Sequence, residues 1–314
     1  MKPQNFEKKN LQIREEFELL RKRQPDRFKK RLNFSWSNWG FGAEPLEQTA
    51  KRLSDNGLKY IELHGNRYGK DLGYKSSEVK KILDNHGLKT AGICGMFSSD
   101  NDMASNRGIV RQHAIDYIRR NIELGSELGA KYFLIVPAAV GRAAVIDDME
   151  FERSVETLQK VGDIFKEHNI RGAVEPIRSA EVSIIHTFAD AEKYIEKVNS
   201  PGIQHINGDL YHMLTEESHI PETICKYGKR LTNLHLADTN RCALGDGSMD
   251  IDTLIMALYL IGYNNEFCYC TAEPLGPGGD PYPAMYGKTD PEILDELVNK
   301  SVKYWREREE MLVI

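Results

Sequence analysis

Apolar and polar positions along this chain follow a repeating order of strand and helix. Short runs of apolar and β-branched residues, each bounded by polar residues, glycine or proline, have the length and composition of β-strands. Eight such runs occur, at 32–36, 60–63, 88–94, 132–136, 170–175, 203–209, 231–236 and 267–273. Between them lie stretches with the apolar period of a helix, at 45–56, 77–85, 107–128, 151–168, 188–198 and 251–261, followed by 291–312. This order predicts parallel strands joined by helical crossovers.

The number of strand–helix units distinguishes two α/β architectures. Eight units favour a closed (β/α)8 TIM barrel over a doubly wound open sheet, and the sequence has no Gly-x-Gly-x-x-Gly turn after its first strand. Gly129 and Gly262 follow predicted helices and indicate helix ends that lead into the next strand. Residues 6–31 are predicted to form an extra amphipathic N-terminal helix, interrupted at Pro25. We therefore expect a helical extension at 1–30 and one barrel domain at 31–314.

Composition and charge narrow the function classes. The 314 residues are 40% hydrophobic and 28% charged, as in an ordinary globular protein with one large core. The net charge of -5 argues against a nucleic-acid partner, which a basic surface would attract. The sequence shows neither an apolar N-terminal signal nor a stretch of about 20 apolar residues, so we expect no membrane association. Five irregularly spaced cysteines fit a reducing, cytoplasmic compartment better than a disulfide framework.

The ends of the predicted strands carry the candidate chemistry, because functional groups of a TIM barrel gather at the C-terminal ends of its strands. The last four strands end at or near Glu175, Asp209, His235 and Glu273. Parallel neighbours bring their ends to one rim, so we expect three carboxylates and one imidazole to converge. Like charges this close require a compensating cation. Oxygen ligands with a single imidazole predict one divalent metal ion, with Mn²⁺ preferred over Mg²⁺ or Co²⁺.

Three spacings around these residues carry a resemblance to a known family. Asp209 is followed three residues later by His212, and His235 is followed six residues later by Arg241. Glu181 lies six residues after the glutamate that ends the fifth strand. In these motifs the sequence resembles the xylose-isomerase-like sugar isomerases and epimerases, in particular the D-tagatose/D-psicose 3-epimerase branch. The resemblance implies a Glu, Asp, His and Glu metal set on strands five to eight, and substrate contacts from His212, Arg241 and Glu181.

The same resemblance implies that a hydroxy-carbonyl sugar binds at the metal ion. A Lewis acid beside the carbonyl makes the neighbouring C–H proton acidic, and carboxylates can remove and return it. Glu175 and Glu273 are the candidates for base and acid. His64, at the end of the second strand, either faces the substrate or hydrogen-bonds a loop. Trp36, like Trp39, either stacks on a sugar face or packs in the core.

Proton removal beside a carbonyl can lead to epimerisation, to aldose–ketose isomerisation, or to elimination of a leaving group. The segments 34–42 and 62–74 and the long loops at 96–107 and 274–290 resemble the catalytic alpha subunits of bacterial C-glycoside deglycosidases. This resemblance implies a carbon–carbon lyase that removes the C2 proton of a 3-oxo-glucoside and expels the aglycone from C1. It also implies a small beta subunit as partner and a histidine base, for which His64 and His212 are the candidates.

We therefore expect a metal-dependent C-glycoside deglycosidase subunit, with a ketose 3-epimerase or sugar isomerase as the alternative. A metal-dependent sugar-binding subunit without activity is a second alternative, although a mere binder would not need the pair Glu175 and Glu273. In each case a sugar or glycoside is the expected ligand. The long rim loops also suggest a higher oligomer.

Overall fold

Eight parallel strands close into a barrel in the order of the sequence. A computed structural model describes residues 2–65, 73–276 and 290–313. The strands are β1 (Asn33–Ser37), β2 (Tyr60–His64), β3 (Lys89–Cys94), β4 (Tyr132–Ile135), β5 (Arg171–Val174), β6 (Ile203–Asp209), β7 (Leu231–Leu236) and β8 (Tyr269–Ala272). β1 pairs in parallel with both β2 and β8, which closes the barrel. The predicted (β/α)8 TIM barrel is confirmed, while the segment 62–74 and the expected loop at 274–290 lie partly outside the described residues.

Helices connect the strands and form the outer layer. They are α1 (Asn5–Arg23), α2 (Leu46–Asp55), α3 (Ser76–Asn85), α4 (Gly108–Glu127), α5 (Glu150–Gln159), α6 (Gly162–Glu167), α7 (Phe188–Val198), α8 (Leu210–Glu216), α9 (Ile220–Tyr227), α10 (Ile251–Leu260) and α11 (Pro291–Val313). The single helix predicted at 151–168 is wrong, because it is interrupted between α5 and α6. There Gly162 approaches the segment before β6 so closely that a Cβ would lie 2.6 Å from Ser200 Oγ. The apolar pattern does not predict α8 and α9, which are too short for a clear period.

The N-terminal helix α1 packs on the outside of the barrel against α10. Phe17 of α1 meets Phe28 edge-on with ring centroids 5.3 Å apart, and Phe28 stacks on Tyr259 of α10 at 5.2 Å. α1 ends before Pro25 as predicted, and a short 3-10 turn at Pro25–Lys29 follows. None of the described helices, α1 included, is long and apolar enough to cross a membrane.

Tyrosines fill the N-terminal part of the barrel lumen. Tyr60, Tyr132 and Tyr269, each the first residue of its strand, cluster around Ala91. The ring centroids of Tyr60 and Tyr132 lie 5.2 and 6.0 Å from that of Tyr269. The larger core lies between the strands and the helices. The tyrosines therefore close one end of the lumen and leave its C-terminal end for polar side chains.

Candidate metal centre

The four expected metal ligands lie together at the C-terminal end of the barrel. Asp209 ends β6, His235 lies in β7, and Glu175 and Glu273 directly follow β5 and β8. All four are buried, with at most 5% of their surface exposed. Nδ1 of His235 is 3.5 Å from Oε1 of Glu175 and 3.3 Å from Oε2 of Glu273. Four neighbouring strands thus bring these side chains to one point, because their parallel ends share a rim.

His212 joins this cluster. The potential ligand atoms of Asp209, His235 and Glu273 lie within 4.8 Å of one another. A second group with the same spacing consists of Glu175, Asp209 and His212. Nε2 of His212 is 3.3 Å from Oδ2 of Asp209, whereas Nδ1 of His212 is buried without a hydrogen-bond partner among the described residues. The two groups overlap at Asp209 and have the donor atoms that a divalent ion requires.

Glu62 of β2 holds the other ring nitrogen of His235. Oε1 of this fully buried carboxylate lies 2.9 Å from Nε2 of His235. Its Oε2 accepts hydrogen bonds from the hydroxyl of Tyr132 at 2.6 Å and from Nδ2 of Asn233 at 3.2 Å. A register shift against β3 lies directly before Glu62. Strand ends alone do not identify Glu62, but a charged residue inside an apolar strand is a sequence signal for buried partners.

A chain of side-chain hydrogen bonds inside the lumen joins four neighbouring strands, from β8 through β7 and β6 to the end of β5. The hydroxyl of Thr271 donates to Oδ1 of Asn233 at 2.7 Å, and Nδ2 of Asn233 donates to Oδ1 of Asn207 at 2.8 Å. Nδ2 of Asn207 then donates to Oε1 of Glu175 at 2.9 Å. Each amide accepts with its oxygen and donates with its nitrogen, so the chain has one direction. It ends by fixing the orientation of the Glu175 carboxylate.

The buried charges of the cluster are only partly compensated by one another. Burial, reinforced by the charge of Asp209, raises the pKa of Glu273 to about 8. Burial would also raise the pKa of Asp209, but the imidazole of His212 and the guanidinium of Arg241 outweigh it and lower that pKa. Burial disfavours the charged form of His235, but the carboxylates around it raise its pKa well above the usual value. The raised pKa values of Glu273 and His235 mean that both groups favour their protonated forms. This indicates a site that is short of positive charge, which a divalent cation would supply.

Arg241 is held against the cluster by aromatic rings. Its guanidinium nitrogens lie 3.7 Å from Oε1 of Glu273 and 3.9 Å from Oδ2 of Asp209. Its guanidinium carbon lies 4.2 Å from the ring centre of Tyr211 and 5.4 Å from that of Trp39. The backbone reaches this position through left-handed conformations at Arg241 and the residue before it, with φ of 57° and 58°. Two such residues in sequence are strained, and strain of this kind concentrates at functional sites.

The two candidate tryptophans occupy different environments. Trp36 is 1% exposed, and its ring packs against that of Phe41 with centroids 5.9 Å apart in the core between strands and helices. The position after Trp36 pairs in register with the lumen-facing Glu62, so Trp36 faces away from the lumen. The structure thus contradicts a substrate contact from Trp36. Trp39 is the tryptophan at the site, where its Nε1 donates a hydrogen bond to Oε2 of Glu273.

The remaining expected substrate contacts, Glu181 and His64, lie on other loops and strands of the same end. Glu181, between β5 and α7, accepts a hydrogen bond from Nε of Arg178 at 2.5 Å. The guanidinium carbon of Arg178 lies 4.5 Å from the ring centre of Tyr211, the same ring that the guanidinium of Arg241 contacts. His64 is buried at the end of β2, and its ring centroid is 5.5 Å from that of Tyr74. It lies two residues after the lumen-facing glutamate and hence on the same face of the strand.

Comparison with known proteins agrees with this architecture. Residues 50–288 match the protein family described as xylose isomerase-like TIM barrel. A ketose 3-epimerase from Arthrobacter globiformis is 26% identical over 231 residues, 73% of this chain and 78% of that relative. The 3-dehydro-D-guloside 4-epimerase of Escherichia coli (strain K12) is 27% identical over 248 residues, 76% of this chain and 91% of that relative.

A solved structure shows the same fold over most of the chain. The D-allulose 3-epimerase from Methylomonas sp., in complex with D-allulose, superposes with a TM-score of 0.75 at 20% sequence identity. The match covers 89% of this chain and 98% of that protein. The family match extends over more than half of the sequence and includes all four expected metal ligands. The chain therefore belongs to the xylose isomerase-like TIM barrel family, among the relatives of the sugar epimerases.

Proposed function

We propose that the chain is a divalent-metal-dependent sugar epimerase, which removes and returns a proton at the carbon next to a ketone. The central observation is that Glu175 and Glu273 flank Nδ1 of His235 at 3.5 and 3.3 Å. Two carboxylates around one position suit the removal and the return of a proton. The two relatives, an epimerase of a ketose and an epimerase of a 3-dehydro-glycoside, favour this function over the deglycosidase expected from the loop segments.

The proposed ion would be held by Glu175, Asp209, His235 and Glu273. Three carboxylates and one imidazole favour Mn²⁺, with Mg²⁺ and Co²⁺ as alternatives. The pKa of Glu273, raised to about 8 by burial first and by nearby negative charge, fits a site that requires additional positive charge. When bound, the ion would polarise the substrate carbonyl and so make the neighbouring C–H proton acidic.

Both proposed acid–base groups are oriented by donors of the protein. Asn207 donates to Glu175 at 2.9 Å, and Trp39 donates to Glu273. These donors fix the planes of both carboxylates before substrate binds, which lowers the entropic cost of reaching the reactive arrangement. Glu175 comes from β5 and Glu273 from β8, so they approach the centre from different directions. One can therefore remove a proton and the other return it on the opposite face.

Further residues would bind the substrate oxygens. Nη1 of Arg241 and Nδ1 of His212 are buried and have no hydrogen-bond partner among the described residues. These two groups are available as donors to oxygens that gain negative charge when the proton leaves. Glu181 and His64 are the other candidates for hydrogen bonds to sugar hydroxyls. His64 and His212 also remain candidates for a histidine base.

A C-glycoside deglycosidase is the second candidate. It is supported by the relative that acts on a 3-dehydro-glycoside, because the match covers 91% of that relative. A ketone at C3 acidifies the proton at C2. After that proton has left, its electron pair can form a C1–C2 double bond while the C1–aglycone bond breaks and its electrons leave with the aglycone. This reaction would need the same metal ion and acid–base pair. It would also involve the small beta subunit and a heteromeric assembly.

Two further proposals concern organisation. We propose that 31–314 act as one catalytic domain, with 1–30 as a helical extension that packs on α10 through Phe17 and Phe28. We also propose that the protein works in a reducing, cytoplasmic compartment, where its five cysteines remain free thiols.

One experiment distinguishes these functions. Full-length protein with Mn²⁺ is incubated in D₂O with D-psicose, a 3-oxo-O-glucoside or a 3-oxo-C-glucoside, and products are followed by ¹H NMR and chromatography. We expect an epimer that carries deuterium at the inverted carbon. Release of aglycone from the C-glucoside, alone or with a beta subunit, would instead support the lyase. Saturable binding without exchange would support a sugar-binding subunit, and metal-independent turnover would contradict the proposed chemistry.

A further inference from the structure

We propose that Glu62 is a positioning residue that fixes the tautomer of His235, so that Nδ1 is the nitrogen available to a metal ion. This inference rests on the proposed metal site. His235 presents its two ring nitrogens to different groups. Nε2 faces the two oxygens of Glu62 at 2.9 and 3.1 Å, whereas Nδ1 faces Glu175 and Glu273. The carboxylate of Glu62 accepts a hydrogen bond from Nε2–H, so that the lone pair of Nδ1 is directed at the cluster.

Three donors converge on Glu62, and this number explains why a carboxylate stands there. They are Nε2 of His235, the hydroxyl of Tyr132 and Nδ2 of Asn233. The amide of Asn233 cannot present its oxygen to Glu62, because that oxygen accepts from Thr271 at 2.7 Å. Glu62 has no exposed surface, so water cannot replace a missing partner. An ionised carboxylate accepts through both oxygens and donates nothing, which matches all three donors.

Glutamine at this position would keep the shape and change the direction of one hydrogen bond. Its carbonyl oxygen can satisfy Tyr132 and Asn233 together, since both donate to the same oxygen of Glu62. Its NH₂ group would then face Nε2 of His235 as a donor. Nε2 would have to accept, and the ring proton would move to Nδ1. A protonated Nδ1 has no lone pair for a metal ion, so Glu62→Gln should weaken metal binding without adding or removing any heavy-atom bulk.

The test measures Mn²⁺ affinity by competition with a chromophoric chelator. We expect the dissociation constant to rise about 10- to 100-fold in Glu62→Gln, the range found when a partner of a metal-bound histidine is lost. Glu309→Gln is the matched control: Glu309 is also buried and accepts from a tyrosine hydroxyl, but it lies at the N-terminal end of the barrel. The affinity of the Glu309→Gln variant for Mn²⁺ should equal that of the wild type. Equal affinity in Glu62→Gln would overturn the proposal.

A second measurement, made on the wild-type protein, does not depend on the folding of Glu62→Gln. In protein labelled with ¹⁵N-histidine and loaded with diamagnetic Zn²⁺, the His235 signals, assigned by their loss in His235→Asn, should show a protonated Nε2. A protonated Nδ1 would overturn the inference. If the wild type binds neither Mn²⁺ nor Zn²⁺, the proposed metal site itself fails. Tight binding by the wild type that is unchanged in Glu62→Gln removes only the role of Glu62.

Discussion

The two ends of the barrel both bury carboxylates, in different surroundings. At the N-terminal end, Glu309 of α11 is 1% exposed and accepts three hydrogen bonds from protein donors. The backbone N–H of Leu32 donates at 2.7 Å, the hydroxyl of Tyr259 at 2.9 Å and Nη1 of Arg306 at 3.1 Å. Because Arg306 supplies one positive charge to one carboxylate, the charge at this end is balanced within the protein.

At the C-terminal end, three buried carboxylates share too little positive charge. Glu175, Asp209 and Glu273 meet around His235, and the guanidinium of Arg241 stays 3.7 Å or more from the nearest carboxylate oxygens. Burying unpaired charge is costly, so such an arrangement persists where function requires it. The difference between the ends indicates that Glu309 stabilises the fold, and it supports the proposal that the other carboxylates serve an external cation and proton transfer.

The largest effect is expected for Glu273→Gln, which removes a proposed proton-transfer group at the charged end. We expect the rate of substrate deuterium incorporation from D₂O to fall about 10³-fold, or about 4 kcal/mol in transition-state stabilisation. ¹H NMR measures the exchange, and metal analysis after dialysis verifies that the ion is still bound. Glu309→Gln serves as the control, with a rate close to that of the wild type. Exchange at the wild-type rate in metal-loaded Glu273→Gln would exclude Glu273 from proton transfer.

The next effect concerns stability at the balanced end. Glu309→Gln removes the charge that pairs with Arg306. The NH₂ group of the new side chain would also face one of the donors that now bind Glu309, so we expect the free energy of unfolding to fall by about 2–3 kcal/mol. Urea unfolding followed by circular dichroism measures the change in the absence of metal and again with Mn²⁺. The loss should be the same in both conditions, because Glu309 is remote from the cluster. A loss that disappears with Mn²⁺ would mean that the two ends are coupled.

The convergence of the four expected ligands could be predicted from sequence because parallel topology restricts where strand ends lie. Once eight strand–helix units indicated a barrel, the ends of the last four strands had to meet at one rim. Glu175, Asp209, His235 and Glu273 accordingly lie together in the structure. This inference needs only the order of the elements and the position of each strand end, to within about one residue. Neither the register nor the exact helix boundaries enter it.

The contacts inside the lumen could not be predicted, because they depend on register and on the face of each strand. Glu62 reaches His235 beside a register shift that no sequence pattern marks. Trp36 and Trp39 appear equivalent in sequence. Side chains alternate between the two faces of a strand, however, and the position of Trp36 in β1 turns its ring toward the helices. A shift of one position reverses the face of every side chain in a strand. The contact between Glu62 and His235 also requires the closed barrel, because β2 and β7 are not neighbouring strands.

The two tryptophans provide a smaller test at the charged end. Trp39→Phe removes the N–H donor to Glu273 and retains an aromatic ring beside Arg241, so we expect kcat to fall about tenfold, or about 1.4 kcal/mol. Trp36→Phe is the matched control. It should lower the thermal unfolding temperature because it removes buried volume, while kcat stays near the wild-type value. The opposite result, with kcat affected by Trp36 alone, would place Trp36 at the substrate.

The smallest effect comes from a histidine on the N-terminal side of β6. His205 is partly buried near Arg171 and Arg230, and burial first, then these positive charges, lower its pKa from 6.5 to about 4. At pH 7 the ring is neutral in both the folded and the unfolded chain. Below pH 6.5 the unfolded chain takes up a proton that the folded chain does not accept until about pH 4, so stability falls as the pH drops through this window.

His205→Gln should remove this part of the acid-dependent loss. The pKa difference corresponds to a few kcal/mol at most, and partial exposure reduces the expected effect to about 1 kcal/mol between pH 7 and pH 4.5. Urea unfolding of the Mn²⁺-loaded protein at both pH values measures it. His113→Gln, at an exposed position of α4, is the control and should leave the difference in stability between the two pH values unchanged. If His205→Gln also leaves the difference in stability between the two pH values unchanged, His205 is not the source of the acid sensitivity. The carboxylate cluster at the C-terminal end of the barrel then becomes its most direct source.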